Sequence, residues 1–290
     1  MAEILYGNNV AAAMEETLMR EVEELVRKGV TPTLAIVRVG ERGDDTAYER
    51  GAIKRCEKVG IAVRRFALPL KVTETELLYV VETINSDDGI HACLMFRPLP
   101  EGIDEARVCN SLAPEKDVDG ITEGSMAGVF TGSGGGYPPC TAQACRELLT
   151  HYGIGLSGKK VVVIGRSLVI GKPVAMLLLA ENATVTICHS RTEGLAELCR
   201  AADVLIVAMG RAGLVDARFI NPDGIVVDVG INVDGAGNLC GDVEREYAEL
   251  AKAYSPVPGG VGAVTTSVLA AHVVDAVCKA SGYTQRKQHK

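Results

Sequence analysis

Val161-Val-Val-Ile-Gly-Arg-Ser-Leu-Val-Ile-Gly-Lys-Pro173 decides the fold. A β-branched apolar run breaks at Gly165 and resumes as a helix candidate. That pattern reads as a buried strand of a parallel sheet feeding a helix. Gly165 allows a tight turn and Gly171 allows close helix packing. A helix starting here offers unpaired N–H groups and a positive dipole end to a phosphate. The spacing Gly-x-Ser-x-x-x-Gly-x-Pro is not the common Gly-x-Gly-x-x-Gly, and a plain strand-to-helix turn is the bland alternative.

Outward from this stretch the α/β pattern continues. Strand candidates follow at Thr184–Cys188, Val204–Ala208 and Gly224–Val229. A dinucleotide site usually places a ribose-reading acid at the end of the second strand, ~20 residues on. Here that strand ends Cys188-His-Ser-Arg191, without Asp or Glu. Ser190, Arg191 and Arg166 supply donors and positive charge, which suits the added phosphate of NADP, with NAD as the alternative cofactor. His189 falls at the adenine end. Upstream, helices are predicted over 10–29, 45–59 and 72–87, alternating with strands at 32–40, 61–68 and 91–96. The alternation argues for a second parallel α/β sheet. Gly132-Ser-Gly-Gly-Gly-Tyr-Pro-Pro139 reads as a linker before a helix over 141–152, and an apolar helix over 265–279 closes the chain. The basic tail 285–290 reads as frayed surface.

Composition bounds the rest. The chain has 290 residues, 47% of them apolar, with 30 basic and 37 acidic side chains, a formal net charge of −7. An acidic chain with 4% aromatics has little to draw it to nucleic acid or an anionic membrane surface. No apolar run is read as membrane-spanning, and Met1–Val10 carries no secretory pattern. Nine cysteines without Cys-x-x-Cys or zinc-finger spacing read as small core residues of a reduced, cytoplasmic protein without a bound metal.

Four stretches together resemble the methylenetetrahydrofolate dehydrogenase/cyclohydrolase family. They are Pro114-Glu-Lys-Asp-Val-Asp-Gly120, Pro139-Cys-Thr141, the Gly165–Pro173 loop and Pro256-Val-Pro-Gly-Gly-Val-Gly262. The resemblance covers nearly the whole chain in order. It implies a two-domain α/β fold: a three-layer folate-side domain over 1–140, completed by the C-terminal helix 265–290, and a Rossmann-type NADP domain over 141–264. It also implies a homodimer acting on tetrahydrofolate derivatives in a cleft between the domains. The candidate cofactor set is Gly165, Arg166, Ser167, Gly171, Pro173, His189, Ser190, Arg191, Gly210, Ile231 and Thr265. The candidate substrate set is Tyr48, Pro98, Leu99, Asp119, Gly259, Gly260 and Val261. Asp119 is expected to take the paired donors of the pterin ring, and Glu115 and Lys116 to face solvent.

The family's folate chemistry rests on a tyrosine, a lysine four residues later, a strand-end glutamine and an aspartate. Tyr48 and Asp119 fall on the first and last; Ala52 and Phe96 occupy the other two positions. Four residues along a helix is one turn, roughly 40° off, so a lysine there meets the phenol and relays protons. Ala52 does not. Lys54 points roughly 120° away; Arg55 returns to the Tyr48 face but stays protonated. Arg97 adds charge without proton relay. Hydride transfer is carried by the cofactor, whereas methenyl hydrolysis needs acid–base catalysis. The expectation is therefore an NADP-dependent dehydrogenase with weak or absent cyclohydrolase. A fully bifunctional enzyme and a silent folate- and NADP-binding paralogue are the alternatives. An unrelated Rossmann dehydrogenase would require a Lys–Asp or His–Asp pair that the sequence does not display. Gly262-Ala-Val-Thr265, where the family usually has proline and methionine before the threonine, is expected to loosen the loop beside the cofactor.

Overall fold

The computed structural model describes residues 2–283. In chain order the elements are β1 (Glu3–Ile4), α1 (Gly7–Arg27), β2 (Thr33–Val39), α2 (Gly43–Val59), β3 (Ala62–Leu68), α3 (Glu74–Ser86), β4 (Ala92–Met95), α4 (Glu105–Asn110), α5 (Glu123–Thr131), α6 (Cys140–His151), β5 (Lys160–Ile164), α7 (Gly171–Ala180), β6 (Thr184–Cys188), α8 (Leu195–Arg200), β7 (Val204–Val207), β8 (Ile225–Asp228), β9 (Asn232–Val233), β10 (Leu239–Cys240), α9 (Arg245–Ala248), β11 (Ala253–Tyr254) and α10 (Val261–Ala280). A single 3-10 turn, Ala217–Phe219, precedes β8. The frayed tail expected at 285–290 lies outside the described residues.

The chain forms two compact units. One holds residues 1–12 and 141–265. Its sheet is six-stranded and parallel, in the order β1-β11-β8-β7-β5-β6. From β5 the chain first adds β6 on one side, then returns to add β7 on the other. The carboxyl ends of β5 and β7 thus flank a reversal in strand order, where doubly wound sheets bind ligands. Val161–Ile164 and Val204–Val207 are buried, as strands covered on both faces must be. The domain expected over 1–140 loses its first residues here: Glu3 and Ile4 pair with Ala253 and Tyr254, so the N-terminal segment belongs to this sheet.

The other unit holds 13–140 and 266–283 of the described residues. Its sheet is β3-β2-β4, all parallel, and every residue of the central β2 is buried. Leu18, Val22 and Leu25 put one stripe of α1 into the interior. α3 starts at a full capping box between Thr73 and Glu76, which fixes its first turn beside the core residues Leu77 and Val81.

α10 begins at Val261, four residues before the expected 265, and the expected loosening of Gly262–Thr265 is absent: the segment is the helix's first turn. This helix also corrects the reading that no run is long and apolar enough to cross a membrane. By length and composition it qualifies, yet 72% of its apolar 18-residue stretch is buried inside the fold, as a core helix is. All nine cysteines are free thiols, and eight are buried.

Candidate functional site

The second unit gathers Tyr48, Phe96, Asp119 and Cys140. α2 carries Tyr48, and its seat is set by the neighbouring Glu49. That carboxylate accepts from Arg38 Nε of β2 and Arg65 Nε of β3, each at 2.7 Å. Phe96 follows β4 and meets the Tyr48 ring edge-on, with centroids 5.9 Å apart and planes at 80°. Ala52, one turn past Tyr48, is fully buried.

Asp119 is presented by a turn that its own motif builds. Asp117 is sealed from solvent and accepts the N–H groups of Ile121 and Thr122 at 3.0 and 2.8 Å. Cys93 of β4 donates its N–H to Lys116 O at 2.6 Å, laying the motif along the sheet edge. Lys116 was expected to face solvent. Instead its ammonium donates to the carbonyls of Ile84, Asn85 and Asp87, at 2.7–3.0 Å, and closes the C-terminus of α3. Glu115 is exposed, as read.

Burial raises the Asp119 carboxyl above its ordinary range; hydrogen bonding from Cys140 and the Arg97 charge pull the other way. Burial also pushes the Tyr48 phenol well above its usual value, with Cys140, Asp119 and Cys56 adding to the rise. All three are acids, and each disfavours a Tyr48 phenolate. Cys140 donates its thiol to Val118 O at 3.3 Å, and burial lifts its titration far up. An inert packing thiol fits that setting better than a nucleophile. Arg97 lies close enough to Asp119 for its charge to act on that carboxyl, but its guanidinium stays protonated. Lys54 is exposed to solvent, and Arg55 is ion-paired with Glu15 of α1. Leu99, a substrate candidate, packs in the hydrophobic core, while Pro98 is exposed.

The first unit gathers the nucleotide candidates at the carboxyl ends of its strands. Gly165 has φ +135°, and a Cβ there would lie 2.4 Å from Ala208 O. A Cβ on Gly171 would lie 2.2 Å from Gly165 O. The loop and the start of α7 therefore close on each other as only glycine permits. Ser167 Oγ accepts from the N–H groups of Ile170 and Gly171 at 3.1 and 3.4 Å, and Pro173 is buried in the first turn of α7. Arg166, Ser190 and Arg191 are exposed beside these turns, and His189 Nδ1 accepts from Arg191 N at 3.2 Å. Gly210 follows β7 and Ile231 follows β8, with the Ile231 side chain 70% exposed. This cradle, its positive rim and an exposed aliphatic side chain fit a dinucleotide.

Val261 and Thr265 are buried in α10, and the Thr265 hydroxyl donates to Val261 O at 3.3 Å. Gly259 and Gly260 pack on the start of α1: Gly7 donates its N–H to Gly259 O at 2.8 Å, and a Cβ on Gly7 would strike Gly260 O. Gly7 and the buried pair Asp228 and Asp242 escaped the sequence reading. The signal for the pair was there, since each is an acid set in an apolar strand or loop beside glycines.

Residues 5–119 match the family model for the catalytic domain of tetrahydrofolate dehydrogenase/cyclohydrolase, and residues 139–281 match its NAD(P)-binding domain. The chain belongs to the tetrahydrofolate dehydrogenase/cyclohydrolase family. A family member from Clostridioides difficile, called bifunctional protein FolD, is 49% identical over 278 residues, 96% of each chain. Among solved members, the bifunctional FolD of Campylobacter jejuni superposes with a TM-score of 0.93 at 35% identity, covering 98% of this chain and 100% of that one. The Trypanosoma brucei FolD, solved with NADP and an inhibitor, gives 0.90 at 35% identity, with coverage of 97% and 98%. The catalytic-domain match falls mostly in the unit built on β3-β2-β4 and the NAD(P)-binding match mostly in the other, but residues 5–12 and 266–281 fall in the opposite units.

Proposed function

We propose that this protein oxidises methylenetetrahydrofolate to methenyltetrahydrofolate with NADP as acceptor, and that it hydrolyses the methenyl product weakly or not at all. NADP, when bound, supplies the hydride acceptor. The chain's own residues bind and orient. Asp119 offers its carboxylate to the ring donors of the pterin, and Tyr48 and Phe96 wall the same pocket. Arg166, Ser190 and Arg191, with no carboxylate ending β6, favour the extra phosphate of NADP over NAD. The folate site is assigned to Tyr48 and Asp119 with Pro98, and the cofactor site to Gly165, Arg166, Ser167, Gly171, His189, Ser190, Arg191, Gly210 and Ile231. A cytoplasmic homodimer belongs to the same reading, carried by the family resemblance.

One observation supports the split between the two steps: the position one helical turn past Tyr48 carries the buried methyl of Ala52, and Phe96 lies edge-on against the Tyr48 ring, so neither position offers the phenol an amine or an amide. Water addition to the methenyl carbon requires protons to be moved. Loss of such a group costs ~100- to 10,000-fold, while hydride passage from the methylene carbon demands mainly alignment. The test assays both steps on one preparation, each with NADP and NAD. Methenyl hydrolysis as fast as dehydrogenation would overturn the split. Ala52→Lys combined with Phe96→Gln should restore the slow step. Full bifunctionality is the second reading, favoured by the names of relatives 48–49% identical.

A further inference from the structure

Met209, Gly210 and Arg211 follow β7, and their successive N–H groups point the same way. Such a nest of donors ordinarily receives an anion. Here one side chain of the protein fills it. Asp242 Oδ2 accepts from Met209 N and Gly210 N at 2.6 and 3.0 Å, and Oδ1 accepts from Arg211 N at 2.7 Å. Oδ1 also accepts from Asn232 Nδ2 at 2.9 Å. Asp242 is completely buried, so these bonds are made without competition from water.

The carboxylate is itself fixed from behind. Asp242 donates its N–H to Asp228 Oδ1 at 3.1 Å, and Asp228 also takes the N–H groups of Gly230 and Val243 at 2.8 and 2.9 Å. A Cβ on Gly230 would sit 2.4 Å from the Asp242 carboxyl carbon, so the chain passes this point only as glycine. The loop after β7 carries Gly210, the loop after β8 carries Ile231, and β7 and β8 are neighbours. One buried anion therefore ties together two loops that both reach the nucleotide edge of the sheet.

We infer that Asp242 is a positioning residue for the dinucleotide. It touches no cofactor; it sets cofactor affinity by holding Gly210, Arg211 and Ile231 in one arrangement before the ligand arrives. Because the nest is already filled by a carboxylate, phosphate is turned away from the β7 loop and left to the Gly165–Gly171 cradle. The inference rests on the NADP reading above.

Asp242→Asn is nearly isosteric but places an amide NH2 among N–H donors. Asn232→Ala cuts only the tie to the β8 loop. Three measurements decide. In the cofactor-free protein, amide hydrogen exchange at 209–211 should accelerate roughly tenfold or more in Asp242→Asn, while amides of β5 keep their protection. NADPH affinity, read by its own fluorescence on titration, should fall roughly tenfold. KM for the folate should stay put, and kcat at saturating NADP should fall far less than the affinity. A purely structural role would lower the amount of folded protein and leave cofactor affinity alone. Unchanged exchange at 209–211, or faster exchange with unchanged NADPH affinity, would overturn the inference. If Asp242→Asn does not fold, Asn232→Ala carries the test: a several-fold loss of NADPH affinity supports it and none overturns it. An unsubstituted protein that binds no NADPH would sink the functional reading itself, and this inference with it.

Discussion

His272 of α10 donates its Nδ1 proton to the carbonyl of Val118 at 2.8 Å, one residue before Asp119. The same ring stacks on Tyr137 with centroids 4.9 Å apart. The last helix thus holds the turn that presents Asp119, and it does so with an imidazole buried where a charge is disfavoured. Burial lowers His272 from 6.5 to about 4. Between those values the unfolded chain binds the proton and the folded one does not. Its contribution is therefore intact above pH 6.5 and lost as pH falls toward 4. Asp228, raised by burial from 3.8 to about 6, acts oppositely: its contribution is full below 3.8 and lost as pH rises through 6. Comparing the protein with His272→Asn isolates the first term. From pH 7 to ~4.5 the unsubstituted protein should lose about 2–3 kcal/mol relative to the variant in urea unfolding. Parallel pH curves would contradict this.

Glu49 and Arg38 are almost sealed from solvent, at 4% and 7% side-chain exposure. Removing the acid strands a buried guanidinium. Glu49→Ala should cost about 3–5 kcal/mol, and Arg38→Met with Glu49→Leu should cost much less. Denaturant midpoints check both. A single variant within ~1 kcal/mol of the original would show that water already screens the pair.

Arg191 is exposed at the turn after β6 and has no acid beside it in sequence on the strand side. Arg191→Ala should raise KM for NADP by roughly tenfold and leave KM for NAD nearly unchanged. Equal loss with both cofactors would place the extra phosphate elsewhere.

Gly171→Ala drives a methyl to within 2.2 Å of Gly165 O, against backbone that has no freedom to give. Dinucleotide binding should be lost while the core around β2 keeps its amide protection. Retained NADPH affinity would mean that the cradle is not the phosphate site.

Ala52→Lys alone should be destabilised, because the methyl is fully buried and the Phe96 ring packs edge-on against Tyr48, one helical turn before it. Phe96→Gln in the same chain should recover much of that loss. Thermal midpoints of the single and double variants separate the two effects.

The longer strands were legible as short β-branched runs: Thr184–Cys188 is read to the residue although, at the edge of its sheet, only Cys188 is buried, whereas the two-residue strands β1, β9, β10 and β11 are too short to leave a pattern. α4 and α5 were not, since six and nine residues give too few turns for a periodic stripe. Lys116 looked like a surface charge because its partners, the last carbonyls of α3, lie about thirty positions away in sequence. Nothing local marks such a pairing. Tyr48 and Asp119 were found by motif, but the work of Asp117 and Glu49 in seating them is tertiary. Asp242 shows the same limit, with a side chain that answers donors 31–33 positions earlier.

The two-residue strand β1 has a consequence for synthesis. Its partner β11 is Ala253–Tyr254, so β1 is made long before the strand it pairs with. The chain also passes between its two units at residues 12–13, 140–141 and 265–266, and neither is finished by an uninterrupted stretch. A nascent chain stopped near residue 200 would hold two incomplete bodies.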